Sequence, residues 1–193
     1  GEGRLALPVA ADDDDPNAHI YADARARAGF GYIPQGRDVF PQMSVEENLQ
    51  VGELIGGPEG KKLPELVYAY FPRLKERRRQ IAGTMSGGEQ QMLALAKALL
   101  ADPKVLLIDE LSLGLSPVAV QDLLPRLRSI ADEHQMAVVL VEQHIDLALG
   151  IADAAIVLHH GRVALSAPAS ELRNRRDMVE AAYFGRTVED RAS

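Results

Sequence analysis

Val105-Leu106-Leu107-Ile108-Asp109-Glu110 is the stretch of sequence that decides the fold. Four apolar residues precede two carboxylates, as in a strand buried on both faces of a parallel sheet. Such a strand delivers the residues after it to the carboxyl edge of the sheet, where open α/β sheets bind ligands. We therefore predict that Asp109 holds Mg²⁺ and that Glu110 polarises an attacking water as general base. Taken alone, the pattern also fits two exposed loop acids.

Strands and helices are predicted to alternate on both sides of this stretch. Further strands are predicted at Phe30–Ile33 and, buried, at Ala137–Val141, followed by a hairpin of Ala155–Leu158 and Arg162–Leu165 that turns at His160-Gly161. The predicted helices are His19–Ala28, Val45 to about Leu54, Leu63–Lys75, Ser86–Ala101, Val118–His134, Ile145–Ile151 and Glu171–Phe184. Gly56-Gly57-Pro58 is predicted to end the second helix, Pro72 to interrupt the third and Pro125 to kink the fifth. This alternation indicates an α/β architecture with a parallel sheet.

Ser86-Gly87-Gly88-Glu89 opens the helix that precedes the central strand. Ser86 and Glu89 have the spacing of a capping box, in which a hydroxyl and a carboxylate satisfy the free amides of the first helical turn; Ser44 and Glu47 repeat this spacing. A capping box leaves Gly87 and Gly88 unexplained, although each glycine costs about 1 kcal/mol inside a helix. Glycines at a helix N-terminus let phosphate oxygens approach the amides closely, so we predict that this segment binds phosphate.

Two more polar residues follow predicted strands. Gln35 comes shortly after Phe30–Ile33, and its amide oxygen is a possible ligand for Mg²⁺ or for a water. His144 follows Ala137–Val141, and an imidazole at the end of a strand is able to hydrogen-bond a phosphate oxygen. Considered singly, each also fits a polar surface residue.

Composition restricts the class of partner. The net charge of −7 argues against a protein that binds a phosphate backbone, so nucleic acid is not expected. The chain has no cysteine, which excludes disulfides and thiolate metal sites and fits a reducing cytoplasm. No apolar run approaches the roughly 20 residues that span a bilayer, so direct membrane insertion is not expected.

Four elements occur in a fixed order, namely Gln35, Ser86–Glu89, Asp109-Glu110 and His144. In this order the chain resembles an ABC ATPase. Gln35 matches the Q-loop of that family, and Met85–Glu89 resembles its LSGGQ signature, with Met for Leu and Glu for Gln. Val105–Glu110 resembles its Walker B strand with the catalytic glutamate, His144 its switch histidine, and Ser112–Pro117 its D-loop.

Four further sequence segments point to one subfamily. Gly31–Arg37, Phe40-Pro41, Ser44–Leu49 and Val141–His144 resemble the ATPases of branched-chain amino acid importers. The ATPases of urea and short-chain amide importers have nearly the same sequence in these segments, so the transported solute stays open.

The resemblance implies a P-loop NTPase-like three-layer sandwich with a parallel core sheet and a helical subdomain. It places a partial ATPase domain at residues 24–185, with the helical subdomain at about 43–100, a disordered or atypical tail at 1–23 and a C-terminal tail at 186–193. ATP and Mg²⁺ are the implied cofactors. The implied partners are permease subunits and a second ATPase subunit in a head-to-tail homo- or heterodimer, at the cytoplasmic face of the membrane.

The family's Walker A loop is not found in this sequence. Only 34 residues precede Gln35, and they contain no Gly-Lys-Ser/Thr. Gly60-Lys61-Lys62 is not a Walker A loop, because Ile55 stands where the motif needs glycine. We therefore expect the N-terminal strands and P-loop to be missing and the chain alone to bind ATP poorly and hydrolyse it slowly or not at all. The alternative function is a docking partner that supplies Ser86–Glu89 to an intact subunit.

Overall fold

The computed structural model describes residues 28–36, 38–60 and 64–184. The helix predicted at His19–Ala28 lies outside these residues except for Ala28, as do the predicted tails at 1–23 and 186–193. The chain divides into two compact units, residues 1–140 and 141–193, each of which is described by itself. No helix within the described ranges is long and apolar enough to cross a membrane.

The first unit alternates strands with helices, as predicted. Its strands are β1 (Phe30–Ile33), β2 (Val105–Asp109) and β3 (Ala137–Val141). Its helices are α1 (Val45–Gly60), α2 (Pro64–Tyr70), α3 (Pro72–Glu76), α4 (Gly87–Leu99) and α5 (Pro117–Glu133). The strand order is β1-β2-β3, and β1 pairs with β2 in parallel, from Phe30 opposite Val105 to Ile33 opposite Ile108. This parallel pairing confirms the predicted α/β class.

Burial of the sheet differs from the prediction. Leu106 and Ile108 of β2 are 0% and 1% exposed, but Leu107 between them is only half-buried. The prediction that β3 is buried is wrong, because Val139 and Val141 are 52% and 57% exposed. β3 lies at the edge of the sheet that the described residues form, where a neighbouring strand flanks it on one side only. An apolar composition therefore predicts the strand but not how completely it is covered.

Helix α4 is the most deeply buried helix of the first unit. Leu95, Leu99 and the following Leu100 are buried, although Met92 is only half-buried. Leu93, Ala94 and Ala96 on its other sides are also at most 1% exposed. Packing against α1, α5 and β1 explains why the burial extends around the helix instead of following one stripe.

Glycine and proline interrupt the helices less than predicted. α1 continues through Gly56-Gly57-Pro58 to Gly60, and α5 is a single helix with Pro125 inside it. The predicted break at Pro72 is confirmed, because α2 ends at Tyr70, and α3 begins at Pro72 after the buried Phe71. Helix propensity is a weak preference that tertiary packing overrides, and a proline removes one backbone hydrogen bond of many.

Tyr70 ties the end of α2 to α5. Its hydroxyl donates to the Glu133 carboxylate and lies 3.0 Å from His134 Nε2, while Arg126 Nη1 donates to the Tyr70 carbonyl at 3.1 Å. Burial and the neighbouring Glu133 carboxylate raise the pKa of Tyr70 to about 12. The phenol therefore stays protonated and remains a donor at neutral pH.

The second unit is a hairpin packed on short helices. Its elements are α6 (Ile145–Ile151), β4 (Ala154–His159), β5 (Arg162–Pro168), α7 (Ala169–Leu172) and α8 (Arg176–Tyr183). β4 and β5 are antiparallel and turn at His160-Gly161, which confirms the predicted hairpin. The predicted helix at Glu171–Phe184 is instead two helices, with Arg173–Arg175 between them. A core of Leu149, Ala169, Leu172 and Val179 packs against the hairpin.

Candidate functional site

The strand register brings Gln35 and Glu110 together. Ile33 lies opposite Ile108 at the carboxyl ends of β1 and β2, and each polar residue stands two positions beyond its isoleucine. Gln35 Nε2 donates a hydrogen bond of 2.6 Å to Glu110 Oε2. Two residues that are 75 positions apart in the chain therefore meet at the carboxyl edge of the sheet, where α/β folds bind ligands.

Glu110 has a backbone conformation that is unusual for its residue type. Its φ is +50°, in the left-handed region, and its carbonyl accepts a hydrogen bond of 3.2 Å from the Leu113 amide. Leu111, the next residue, is 1% exposed and belongs to the core. Non-glycine residues with positive φ are concentrated at functional sites, where the surrounding packing compensates for the strain.

Asp109 and Gln35, the two predicted magnesium ligands, both carry the oxygen donors that Mg²⁺ prefers. Asp109 ends β2 and is half-buried, and Gln35 is exposed. Because the Gln35 amide nitrogen donates to Glu110, its amide oxygen is directed away from that carboxylate. Within residues 28–36, 38–60 and 64–184, no three His, Cys, Asp or Glu side chains cluster as a metal cage. Mg²⁺ in nucleotide sites typically takes one or two protein oxygens, with phosphate and water for the rest. That Asp109 and Gln35 bind one ion together stays a prediction.

Ser86 and Glu89 form the predicted capping box at the start of α4. The amide and hydroxyl of Ser86 donate to Glu89 Oε2 at 3.0 and 2.9 Å, and the Glu89 amide donates to Ser86 Oγ at 3.4 Å. Arg77 Nε pairs with Glu89 Oε1 at 3.0 Å. Burial raises the pKa of the Glu89 carboxyl, but the Ser86 hydrogen bonds and the Arg77 charge lower it more, to below its ordinary value of 4.5. Both Glu89 carboxylate oxygens thus have partners within the protein.

Gly88 has a packing role that the sequence alone did not suggest. A Cβ atom on Gly88 would lie 3.2 Å from the Ala119 Cβ in the first turn of α5. Ser116 caps that turn by accepting a hydrogen bond of 3.3 Å from the Ala119 amide. The glycine therefore lets the start of α4 approach the helix that follows Asp109 and Glu110.

His144 belongs to the second unit, where it is the N-cap residue of α6. Its side chain is exposed, and its carbonyl accepts hydrogen bonds of 3.1 Å from the amides of Leu147 and Ala148. An exposed imidazole directly before a helix is in keeping with the polar role predicted for it, and that role stays a prediction.

Two buried polar residues near Gln35 escaped the sequence interpretation. Lys97 is 8% exposed and pairs with Asp38 at 2.7 Å, and Asn48 is 0% exposed and hydrogen-bonds both backbone groups of Phe40. Lys97 could have been noticed in the sequence as the one cation in the otherwise apolar run 93–100. Asn48 gave no comparable signal, because an asparagine four residues after a helix cap is ordinary at a surface.

Comparison with known proteins identifies the family. The family model described as ABC transporter matches residues 9–112, which is more than half of the chain. These residues include Gln35, the Ser86–Glu89 capping box and both acids that end β2. The parallel sheet and the family match define an ATP-binding domain. The chain belongs to the ABC transporter family, as an ATP-binding member.

Two relatives narrow the comparison. The chain is 44% identical over 161 residues to the high-affinity branched-chain amino acid transport ATP-binding protein BraG of Pseudomonas aeruginosa, covering 82% of this chain and 68% of that protein. It is 38% identical over 149 residues to the probable branched-chain amino acid transport ATP-binding protein LivF of Archaeoglobus fulgidus. That match covers 77% of this chain and 63% of the relative. The chain thus spans about two thirds of the length of these relatives.

Solved structures show the same fold. An ATP-binding subunit of an ABC transporter matches with a TM-score of 0.66 at 24% identity, covering 85% of this chain and 71% of that one. A nucleotide-free ATP-binding cassette from an ABC transporter matches with a TM-score of 0.69 at 19% identity, covering 83% and 70%. These likenesses confirm the predicted fold class.

Proposed function

We propose that this chain is the ATP-binding and ATP-hydrolysing subunit of an importer for branched-chain amino acids or a similar small solute. The names of the two relatives and the amino-acid sequence around Gln35 support this solute class. The observation that carries the proposal is the hydrogen bond of 2.6 Å between Gln35 and Glu110 at the carboxyl edge of parallel strands. This contact supports the proposal, because it brings an amide and a carboxylate together at the edge of the sheet where α/β folds bind ligands.

Each site residue has a distinct role in this proposal. Asp109 and Gln35 would hold the hydrated Mg²⁺ that accompanies ATP, and the ion would neutralise charge on the phosphate oxygens. Glu110 orients and polarises the water that attacks the γ-phosphate, and its hydrogen bond from Gln35 fixes the carboxylate before substrate arrives. His144 donates to the γ-phosphate. Ser86, Gly87 and Gly88 present a helix N-terminus to the nucleotide, and Glu89 holds that N-terminus in shape through the capping box.

The second candidate function is that of a docking partner that supplies its signature segment to another subunit. The 193 residues contain no Gly-x-x-x-x-Gly-Lys-Ser/Thr, whereas the capping box of α4 is fully formed. In a head-to-tail dimer, such a chain supplies Ser86–Glu89 to nucleotide that is held by an intact subunit. For the 193-residue chain alone we expect weak Mg-ATP binding, and tight binding in a calorimetric titration would contradict this.

The remaining proposals concern the partner and the location. We assign residues about 43–100 to a helical subdomain that docks on a permease at the cytoplasmic face of the membrane. Leu54 and Ile55 in α1 are 74% and 61% exposed, so this segment offers an apolar contact. Replacing both by serine is expected to weaken co-purification with the permease while leaving the unfolding midpoint unchanged. Unchanged capture would remove this surface from the proposal.

A mixing experiment with two partners tests both candidate functions. The chain is mixed with an intact family subunit and, separately, with the same subunit after replacement of its own signature serine, so that in the second mixture the signature must come from this chain. If this chain hydrolyses ATP, Glu110→Gln should lower the rate gained in the first mixture by about 10²-fold, as expected for loss of a general base. If it only supplies its signature, Ser86→Arg should abolish the rate of the second mixture, and Glu110→Gln should leave it unchanged.

The matched control is Glu76→Gln, which alters an exposed carboxylate paired with Arg73 on α3. It is expected to leave the rate of the mixture unchanged. Both candidate functions are wrong if neither mixture gains ATPase activity over the corresponding partner subunit alone. They are equally wrong if neither Ser86→Arg nor Glu110→Gln lowers the gained activity.

A further inference from the structure

Lys97 is a buried cation in the middle of α4. It is the only charged residue in the described part of the chain that is buried, with 8% of its surface exposed. Its ammonium group donates to the Asp38 carboxylate at 2.7 Å and to the Asp38 carbonyl, and lies 4.9 Å from the centre of the Phe40 ring. Lysine is rarely buried unless its charge has partners, and here Asp38 lies 59 positions away in the chain.

All these partners lie on the segment that follows Gln35. Asp38 is three positions after Gln35, and its side chain is 52% exposed, while Phe40 is 44% exposed. Since so much of this segment faces solvent, burial of its own side chains contributes little to its position. The ammonium group contributes an ion pair, a backbone hydrogen bond and a cation–π contact to that position.

Asn48 on α1 holds the end of the same segment. It accepts a hydrogen bond of 2.7 Å from the Phe40 amide and donates to the Phe40 carbonyl at 3.0 Å and the Ser44 carbonyl at 2.9 Å. Lys97 and Asn48 therefore fix residues 38–40 from two helices. Lys97 holds Asp38, which is the end of this segment nearer to Gln35 in the chain.

We propose that Lys97 is a positioning residue for Gln35, holding residues 38–40 against α4 so that the Gln35 amide stays within hydrogen-bonding distance of Glu110. The proposal rests on the proposed function only for its effect on ATP hydrolysis, since the contact between Gln35 and Glu110 is a property of the chain itself. Lys97 does not touch the reacting atoms in this scheme. It acts through the position of the loop.

The variants separate the charge of Lys97 from its bulk. Lys97→Met keeps an unbranched apolar stem in the core and removes the ammonium group, and Lys97→Arg restores a positive charge. The matched control is Lys75→Met. Lys75 also pairs with a carboxylate, Glu65 at 3.3 Å, and lies 5.8 Å from the centre of an aromatic ring, that of Tyr68, but its side chain is 54% exposed.

Cross-linking measures the position of the loop without ATP. Because the chain has no cysteine, Gln35→Cys with Glu110→Cys introduces a single pair of thiols. The rate at which a short thiol-specific cross-linker joins them reports how closely the two positions are held. We expect Lys97→Met to lower this rate several-fold, Lys97→Arg to restore most of it and Lys75→Met to leave it unchanged. An unchanged rate in the Lys97→Met background would overturn the proposal.

ATP hydrolysis provides the second readout, in the mixture with the intact subunit that keeps its own signature. Lys97→Met is expected to lower kcat about tenfold or more with little change in KM for ATP, because small displacements of catalytic groups are costly. A fall in kcat that Lys97→Arg does not restore, or that only parallels a fall in the unfolding midpoint, contradicts positioning. If the unaltered mixture shows no activity, the proposed function fails, and the cross-linking rate alone decides the role of Lys97.

Discussion

Helices α1 and α4 begin with the same capping device but differ in the residues of their first turns. At α1 the Ser44 amide and hydroxyl donate to Glu47 Oε2 at 2.7 and 2.8 Å, and the Glu47 amide donates to Ser44 Oγ at 3.2 Å. The box of Ser86 and Glu89 at α4 repeats these three hydrogen bonds. Only the second box lies in a segment that resembles a nucleotide-binding signature. The capping hydrogen bonds alone therefore do not mark a binding site.

The residues inside the two boxes make the difference. Val45 comes directly after Ser44 and is 0% exposed, so the first turn of α1 is anchored in the core. Gly87 and Gly88 come directly after Ser86, and the absence of side chains leaves the amides of that turn approachable and lets Ala119 pack closely. A capping box stabilises a helix in both places, and only the glycine pair adds access for a ligand.

The largest expected effect comes from the point where α1 and α4 touch. A Cβ on Gly52 of α1 would lie 2.6 Å from the Lys97 carbonyl and 3.1 Å from the Leu100 Cβ of α4. Gly52→Ala should destabilise the protein by about 2 kcal/mol, since overpacking of a tight core typically costs about 1–3 kcal/mol. The measurement is the free energy of unfolding in urea.

Gly150→Ala is the control, because a Cβ at that helical glycine meets no atom within 4 Å. It should stabilise the protein by roughly 0.5–1 kcal/mol through helix propensity. If Gly52→Ala also stabilises, α1 and α4 are not in tight contact, and the two helices are more independent than the structure indicates.

The second prediction compares the capping serines directly. Ser44→Ala and Ser86→Ala should each lower the free energy of unfolding by about 1 kcal/mol, because both lose an equivalent N-cap. Only Ser86→Ala should also lower the ATPase rate of the mixture with the modified intact subunit. Equal loss of rate in both variants would show that the serine at α4 acts through folding and has no contact with nucleotide.

Patterns with a local cause were predicted well from the sequence. Both capping boxes, the strand at Phe30–Ile33 and the hairpin turning at His160-Gly161 depend on residues close together in the chain. The joint order of Gln35, the acids and the signature also led to the correct family. These features required no knowledge of which elements touch.

Contacts between distant segments were not predicted. The sequence shows an apolar run at β3 but not its 52% exposed Val139, and it shows a lysine in α4 but not Asp38 beside it. The glycines and proline near the end of α1 suggested a break, because local propensity cannot weigh the packing of the whole helix. The role of Gly88 against Ala119 likewise depends on a neighbour 31 positions away.

The third prediction uses pH to compare the two boxes. The Ser44 backbone and hydroxyl hydrogen bonds hold the pKa of Glu47 below 4.5, and the pKa of Glu89 is lowered as well. Because both pKa values are lower in the folded chain, the stabilisation is present above pH 4.5 and is lost as pH falls through the folded-state values. Glu47→Gln and Glu89→Gln should therefore reduce stability at neutral pH and differ less from the parent in acid. A constant difference across this range would contradict the ionised form of the boxes.

The smallest expected effect concerns Arg77, which pairs with Glu89 at 3.0 Å and is itself 39% exposed. Arg77→Gln should lower the free energy of unfolding by no more than about 1 kcal/mol, because partly exposed ion pairs are screened by water and salt. Arg128→Gln is the matched control, since Arg128 is 38% exposed and pairs with Asp132 at 2.9 Å. In a Glu89→Gln background the effect of Arg77→Gln should shrink. An effect well above that of Arg128→Gln would mean that the ion pair, beyond the capping hydrogen bonds, is what sets the signature turn apart from the start of α1.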